Sequence, residues 1–429
     1  MTNITNQLKT KLNSGLAKDI LWTLFGQVTV MFVLLIVNKI LSNNLTIEDF
    51  GIYNIIKRST SVLSFVLLGG MGITIPRYLS VSISKKRVVE TQLQIRASWL
   101  YLFVVCMITS VIYLLLYSRL SELVIGEENL EFYILCLLYA VSTAIASYFF
   151  AYYRGIGKFK MFNVVQIVFQ LLMILPLFLQ TGSLVSIIFG WTILNMLFIM
   201  VLTAIEYKQY NRIIKRISFR IPNFKKIFKE LTKYSLPRLI GDFFLFAYSA
   251  FPVIYVGAKL GYEETSFYSI GVSLVTMVTP VFSFLGVILL PLVAKNIANK
   301  QVKEANSLVI KLAVIYSITA IFFTAIMYLG MDYMICIFFA DKYIAALPIA
   351  RVIALSLLPQ AMYLLYRNPN DAASVFPYNT IILAISFAVM VVGFSISSTL
   401  MHFALMYLLT SIIQCICSIC AWQFIIHKL

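Results

Sequence analysis

The stretch ILWTLFGQVTVMFVLLIVNKILS (residues 20–42) decides the fold class. It stays apolar for longer than the roughly 20 residues that an α-helix needs to cross the hydrocarbon core of a bilayer. The apolar core of a signal peptide is shorter and is followed by small residues at a cleavage site, which this stretch lacks. We therefore expect residues 20–42 to form a first membrane span.

The composition extends that conclusion to the whole chain. Of the 429 residues, 61% are hydrophobic and 12% are charged, whereas soluble domains average roughly 45–50% and 25%. This excludes a soluble enzyme, a disordered chain and a small secreted domain held by disulfides. The apolar runs are continuous rather than alternating, which argues against an outer-membrane β-barrel. The predicted fold class is an all-α polytopic membrane protein.

Hydrophobic runs of span length recur along the sequence, with one long polar interruption. That interruption, residues 206–233, carries nine basic residues. It divides the chain into an N-terminal six-helix bundle (1–205), a basic cytoplasmic linker (206–233) and a C-terminal six-helix bundle (234–429). The twelve predicted spans are 20–42, 51–80, 97–117, 130–152, 161–180, 183–205, 234–258, 265–294, 311–330, 343–366, 379–397 and 400–425.

The distribution of charge predicts the orientation. The net charge is +17, from 34 Lys and Arg against 17 Asp and Glu. Loops on the side of the N-terminus hold 25 of the 34 cations, and the opposite loops hold only Arg119, Lys259 and Lys342. Because cytoplasmic loops are enriched in Lys and Arg, both termini should be cytoplasmic. The positive charge therefore needs no nucleic-acid partner.

An internal repeat appears at an offset of 215 residues. Tyr53 matches Tyr268, and Pro76 matches Pro291, with further matches over three spans. Each half has an even number of spans, so the halves should lie parallel, as in transporters built from parallel repeats. The alternative is that multi-span chains share such features by composition alone. The repeat favours two parallel six-helix halves.

The charges within the predicted spans are mostly positive. Charge at membrane depth is costly, so it normally faces a cavity or a partner. A water-filled vestibule that attracts an anion is the simplest functional interpretation. Apart from Glu131, at the end of its span, the only acid in the spans is Asp242. The cations are Lys39, Lys57, Arg58, Arg77, Arg238 and Arg351.

These cations differ in how strongly they indicate a cavity. Lys57 and Arg58 begin a polar stripe at helical spacing, which favours a cavity. Lys39 lies near a span end, where a lysine can extend to the interface. Arg77 could likewise face a cavity or extend to the interface. For Arg351 these two interpretations are evenly balanced.

Two further features leave a structural and a functional interpretation open. Arg238 and Asp242 are four residues apart and can pair on one helix face, as a structural pair or as a gate or coupling site. The sequence Gly69-Gly70-Met71-Gly72 allows either close helix packing or a bend. Tyr53, Tyr133 and Tyr268 lie near span ends, which is typical of an interfacial aromatic belt.

No catalytic or cofactor motif is present in the sequence. The two histidines are isolated, and no phosphate loop or nucleotide fingerprint occurs. The motif Cys415-x-Cys417-x-x-Cys420 could suggest a metal, but it lies in an apolar run, where packing thiols are expected. We expect no cofactor and no metal site.

Four stretches carry a family resemblance. They are FGIYNIIKRSTSVLSFVLLGGMGITIPRYLS (50–80), YYRGIGKFKMFNVVQ (152–166), YSLPRLIGDFF (234–244) and FADKYIAALPIARVIALSLLP (339–359). In these, the chain resembles the Wzx-type flippases of bacterial polysaccharide synthesis. That family belongs to a superfamily that also holds the multidrug and toxin extrusion (MATE) transporters. The sequence departs at 366–372, where YRNPNDA stands opposite YRGIGKF of the first half.

The resemblance implies a function, which we treat as an expectation. It implies a MATE-like flippase of the bacterial inner membrane, with no enzymatic activity. Its substrate would be an undecaprenyl-pyrophosphate-linked oligosaccharide for O-antigen, capsule or exopolysaccharide synthesis. The expected partners are this substrate, membrane lipid, and polymerase and chain-length proteins. The expected substrate-binding residues are Lys57, Arg58, Arg351, Arg77 and Lys39. The alternatives are a multidrug or cation antiporter of the same fold and a membrane glycosyltransferase or polymerase.

Overall fold

The structure is a computed structural model that describes residues 15–125, 129–179, 183–214, 224–374 and 376–429. The described residues form α-helices joined by short connections, with one 3-10 helix at Asp341–Ala346. In chain order the helices are α1 (Gly15–Asn44), α2 (Ile47–Leu68), α3 (Met71–Ser84), α4 (Val88–Leu115), α5 (Tyr117–Ile125), α6 (Leu130–Gly155), α7 (Phe159–Leu172), α8 (Leu175–Leu179), α9 (Leu184–Ile214), α10 (Phe224–Leu260), α11 (Tyr262–Ala298), α12 (Val302–Leu329), α13 (Met331–Phe338), α14 (Leu347–Ala354), α15 (Leu357–Ala373), α16 (Tyr378–Ile396) and α17 (Leu400–Lys428).

The helices account for the predicted membrane spans. Eleven stretches of the described chain are long and apolar enough to cross a membrane. A twelfth is a pair bent by 41°, Asp341–Ala354 with Leu357–Ala373. The bend precedes Pro359, which lies in the first turn of α15, where its missing N–H costs nothing. The all-helical, multi-pass prediction is confirmed.

The second predicted span is broken at Gly69 and Gly70. Both have positive φ, 60° and 75°, a conformation that glycine adopts without steric cost. A Cβ atom at Gly70 would lie 2.6 Å from the carbonyl oxygen of Ser235. The structure thus contains both features that the sequence left open, a helix break and a close approach between backbones.

The helix order repeats between the two halves of the chain. Helices α4 and α12 each contain 28 residues, and each is followed by a short helix, α5 and α13 respectively. Each is preceded by a turn with a non-glycine residue at positive φ, Lys86 at 54° and Lys300 at 61°. Such residues are uncommon, so their matched positions support a common ancestral unit.

The structures of the two halves differ at 366–372, the segment where the sequence departs from the first half. In the first half, α6 ends at Gly155, and Gly157 at φ 73° starts the turn into α7. In the second half, α15 continues through the corresponding YRNPNDA segment to Ala373. The first half therefore has a tight glycine turn at a position where the second half stays helical.

The chain forms two compact units. The first comprises Met1–Val37 with Ser59–Phe243, and the second comprises Asn38–Arg58 with Phe244–Leu429. Helices α1, α2 and α10 each contribute to both units. Residues 38–58, which form the end of α1 and the first part of α2, belong to the second unit. They include Lys39, Lys57 and Arg58. The division into 1–205, 206–233 and 234–429 stays a prediction, and linker residues 215–223 lie outside the described part of the chain.

Candidate functional site

Lys57 and Arg58 are adjacent on α2, and both side chains are half-buried. The ammonium of Lys57 lies 3.4 Å from the side-chain oxygen of Asn38. It also lies 5.4 Å from the ring centroid of Tyr53, one helical turn earlier. An ammonium over an aromatic face is attracted by the ring quadrupole. Lys57 is therefore held by a neutral amide and a ring.

Three tyrosines surround Arg58. Its guanidinium lies within electrostatic reach of the phenols of Tyr407, Tyr53 and Tyr268. These side chains are 4%, 1% and 0% exposed respectively. Helices α2, α11 and α17 each supply one of them. Among the side chains that the structure describes, none is a carboxylate in ion-pair contact with Arg58. The side chains that interact with its positive charge are thus neutral phenols.

A polar network extends from Tyr407 within the second unit. The amide nitrogen of Gln360 donates to the Tyr407 hydroxyl at 3.2 Å and to the Ser356 hydroxyl at 2.9 Å. The Tyr268 hydroxyl is buried without a hydrogen-bond partner among the described residues. We call the group Arg58, Tyr53, Tyr268, Tyr407 and Gln360 the Arg58 cluster. A half-buried cation with neutral hydroxyl and amide groups beside it can bind an anion.

Lys39 binds the end of a helix instead. Its ammonium donates to the carbonyl of Cys336 at 2.7 Å and to the carbonyl of Phe339. These carbonyls lie at the C-terminal end of α13, where backbone acceptors are unpaired and the helix dipole favours a cation.

A hydrogen bond to Asp341 is the main cause of a raised pKa at the Cys336 thiol, so this thiol stays protonated.

Three other cations of the second unit contact helix ends in the same way. Arg351 donates to the carbonyl of Tyr328 at 3.1 Å, at the end of α12. Lys342 donates to the carbonyl of Leu45 at 2.5 Å, just after α1, and Lys259 to that of Ser395 at 2.8 Å, in α16. Helix-end contacts thus account for the positions of Lys39 and Arg351, and their substrate role stays a prediction.

Arg77 lies in the first unit, beside the glycine break. Its guanidinium donates to the Tyr234 hydroxyl and lies 4.5 Å from the centroid of that ring. Next to this contact, the hydroxyls of Thr74 and Ser235 are 2.8 Å apart and buried. These contacts join α3 to α10 immediately after the break at Gly70.

Arg154, in the stretch YYRGIGKF, also contacts the chain close to this break. Its guanidinium donates to the carbonyl of Gly72 at 3.1 Å. A Cβ atom at Gly155 would lie 3.0 Å from the Cα of Pro76, so α6 packs closely on α3. Parts of three of the four stretches quoted for the family resemblance therefore meet at one junction within the first unit.

The family model for polysaccharide biosynthesis proteins matches residues 16–297, more than half of the chain. The chain belongs to this family. This finding confirms the resemblance inferred from the sequence. No curated protein matches the sequence at a significant level.

Solved structures similar to this polysaccharide biosynthesis protein include MATE transporters. An inward-facing multidrug resistance MATE family transporter of the MOP superfamily matches with TM-score 0.68 and 12% identity, over 94% of each chain. A MOP superfamily transporter from Pyrococcus furiosus, described as having a binding pocket of reverse polarity, matches with TM-score 0.68 and 12% identity, over 96% of this chain and 95% of that one. The eukaryotic MATE transporter AtDTX14 matches with TM-score 0.65 and 13% identity, over 96% and 97%. At these identities the comparisons show the fold.

The predicted gate residues of this family member lie on α10, with Arg238 one turn before Asp242. Their side chains are outside the part of the structure that is described. Their role as a gate or coupling pair therefore stays a prediction.

Two of the three tyrosines of the Arg58 cluster were assigned wrongly from the sequence. Tyr53 and Tyr268 were expected in an interfacial belt, as was Tyr133, but all three are buried. A signal was available, because Tyr53 and Tyr268 share the repeat offset and Tyr53 lies one turn from Lys57. Gln360 and Tyr407 had no comparable signal, since their role depends on the packing of α15 against α17.

The C-terminal cysteines stay free thiols, with Cys415 and Cys417 half-buried and Cys420 exposed. Within the described part of the chain, His, Cys, Asp and Glu side chains form no group of three that could hold a metal ion.

Proposed function

We propose that this protein moves a lipid-linked oligosaccharide across the membrane, and that the Arg58 cluster binds the pyrophosphate of that substrate. The substrate class is the undecaprenyl-pyrophosphate-linked repeat unit used for O-antigen, capsule or exopolysaccharide synthesis. The observation that carries the proposal is a half-buried arginine among buried tyrosines, with a lysine beside it. Membership of the polysaccharide biosynthesis family supports the substrate class.

A pyrophosphate diester suits this site chemically. It carries about two negative charges and several acceptor oxygens, which match a guanidinium fork, an ammonium and phenol hydroxyls. Lys57 and Arg58 are consecutive on α2, so two positive charges can approach one dianion. The buried Tyr268 hydroxyl supplies a further donor, because no described residue accepts its hydrogen bond.

The membrane potential favours the direction of transport in this proposal. Moving one charge through 100 mV is worth roughly 2.3 kcal/mol, so two uncompensated charges would gain about 4–5 kcal/mol in an inside-negative cell. The cations reduce the cost of withdrawing the head group from water. The lipid chains can remain in the bilayer while the oligosaccharide crosses by alternating access, as in other repeat transporters.

The charge distribution completes the proposal. The excess of Lys and Arg in loops on one side supports a cytoplasmic location for both termini and the 206–233 linker in a bacterial cell. The protein would then lie in the inner membrane and accept its substrate on the cytoplasmic side. Polymerase and chain-length proteins would act on the product at the opposite face.

The decisive experiment compares two arginines of the second unit. The protein is reconstituted in vesicles with a fluorescent undecaprenyl-pyrophosphate oligosaccharide, and its appearance in the outer leaflet is measured. Arg58→Gln should lower the rate by about tenfold or more, whereas Arg351→Gln should leave it within about twofold per folded molecule, since Arg351 contacts a helix end.

Three results would overturn the proposal. One is equal transport by Arg58→Gln and the unchanged protein. Another is exchange of protons for a cationic dye without movement of the lipid-linked sugar, which would indicate an antiporter. A third is transfer of sugar between lipid carriers, which would indicate a glycosyltransferase or polymerase.

A further inference from the structure

A pocket in the first unit lies apart from the Arg58 cluster. Helices α4, α6 and α9 line an open pocket of about 320 Å³. Aromatic rings form much of its wall, namely Trp99, Tyr148, Phe149, Tyr152 and Tyr207. Arg96 from α4 and Glu206 from α9 line the same pocket. It therefore combines an apolar wall with one positive and one negative side chain.

Two tyrosines hold the carboxylate of Glu206 in place. The Tyr152 hydroxyl donates to one carboxylate oxygen at 3.0 Å, and the Tyr153 hydroxyl donates to the other at 2.9 Å. Each oxygen of an ionised carboxylate can accept more than one hydrogen bond. Glu206 is thus fixed in orientation and can still accept from a ligand.

The aromatic wall is itself well packed. The ring centroids of Trp99 and Tyr148 are 4.6 Å apart, and those of Trp99 and Phe149 are 5.6 Å apart. The Tyr148 hydroxyl is 2.6 Å from the Ser98 hydroxyl. Because these rings support one another, the wall is preformed and does not need a ligand to order it.

Exposed apolar side chains continue from the pocket along the same two helices. On α4, Leu100 and Phe103 follow Arg96 and Trp99 by one turn, and they are 44% and 63% exposed. On α9, Met200 precedes Thr203 by one turn and is 60% exposed. Large exposed apolar residues in a membrane span are expected to face acyl chains, so we expect lipid to reach the pocket along these two helices.

We propose that this pocket binds phosphatidylethanolamine from the bilayer. The lipid phosphate lies against Arg96, the primary ammonium donates to Glu206, and an acyl chain follows Phe103 and Met200. The choice rests on charge complementarity, because the head group carries one negative and one positive charge, as the pocket does. The proposal concerns a structural lipid and does not depend on the transported substrate.

Lipid binding is measured by native mass spectrometry of the full-length, delipidated protein titrated with phosphatidylethanolamine, phosphatidylcholine or phosphatidylglycerol. We expect phosphatidylethanolamine to bind most tightly. Arg96→Gln and Glu206→Gln should each weaken its binding by about fivefold or more, since each removes a charged hydrogen-bond partner. The matched control is Arg119→Gln, an exposed arginine of the same unit outside the pocket, which should bind normally.

A second variant tests the pocket without altering its charges. Thr203 lines the pocket and is exposed, so Thr203→Phe should fill the volume and weaken phosphatidylethanolamine binding to a similar extent. Equal affinity for phosphatidylcholine would overturn the proposal, because its ammonium cannot donate a hydrogen bond. Tighter binding of phosphatidylglycerol, or unchanged binding in Glu206→Gln and Thr203→Phe, would overturn it as well.

Discussion

The ammonium of Lys39 donates a hydrogen bond to the backbone carbonyl of Cys336, 2.7 Å away, although 297 positions separate the two residues. The contact lies within the second unit, because residues 38–58 pack with the C-terminal part of the chain. It connects the end of α1 to the C-terminal end of α13. A cation inside a span thus has a structural partner that its position in the sequence does not indicate.

Replacing Lys39 should therefore affect stability more than transport. We expect Lys39→Met to lower the free energy of unfolding by about 1–2 kcal/mol, since it leaves helix-end carbonyls without their charged donor. The measurement is the midpoint of thermal unfolding in detergent, paired with transport per folded molecule. Lys303→Met is the control, because Lys303 is exposed in the first turn of α12. An unchanged midpoint with lost transport would instead make Lys39 a substrate contact.

The shape of the Arg58 side chain should matter as well as its charge. Arg58→Lys keeps the charge but loses the planar fork that binds two phosphate oxygens. We expect transport between that of the unchanged protein and that of Arg58→Gln, with a higher substrate concentration for half-maximal rate. Full activity of Arg58→Lys would show that charge alone is sufficient.

Tyr268 and Tyr133 give a matched pair of buried phenols, each 0% exposed. The Tyr268 hydroxyl has no hydrogen-bond partner in the described chain, whereas the Tyr133 hydroxyl donates to the Tyr113 carbonyl at 2.7 Å. Tyr268→Phe should leave stability unchanged or raise it by up to about 1 kcal/mol and should slow transport.

Tyr133→Phe should do the reverse. It should cost about 0.5–1.5 kcal/mol, because it removes a buried hydrogen bond and leaves the Tyr113 carbonyl with only the 3.3 Å bond from the Leu116 N–H, and the transport rate of the folded protein should not change. Thermal unfolding and the vesicle assay distinguish the two effects. If Tyr268→Phe destabilised the protein and transported normally, the Tyr268 hydroxyl would have a purely structural role.

The sequence was sufficient for the spans, because the thickness of a bilayer sets the length of an apolar run. It was insufficient for the short helices α5 and α13, which are too short to produce a clear period. The departure at 366–372 was visible as a changed motif, and it corresponds to a helix that continues where the first half turns at Gly157.

The site was predictable only in part, for a physical reason. Lys57 and Arg58 stood out because charge is rare at membrane depth. Their surroundings depend on which faces of α2, α11 and α17 pack together, and no local pattern encodes that. Lys39 and Arg351 also stood out as charges at membrane depth, but the sequence did not indicate the helix ends that they contact.

Gly70 and Gly157 allow the steric and conformational requirements of the glycine break to be separated. Their φ angles are nearly equal, 75° and 73°, but a Cβ at Gly70 would meet the Ser235 carbonyl, whereas nothing lies within 4 Å of a Cβ at Gly157. Gly157→Ala should cost about 1–2 kcal/mol, from the left-handed conformation alone. Gly70→Ala should cost roughly 1–3 kcal/mol more, because a backbone oxygen cannot rotate away. Chemical or thermal unfolding of the two variants gives the difference directly, and equal losses would show that α3 and α10 can separate at the break without cost.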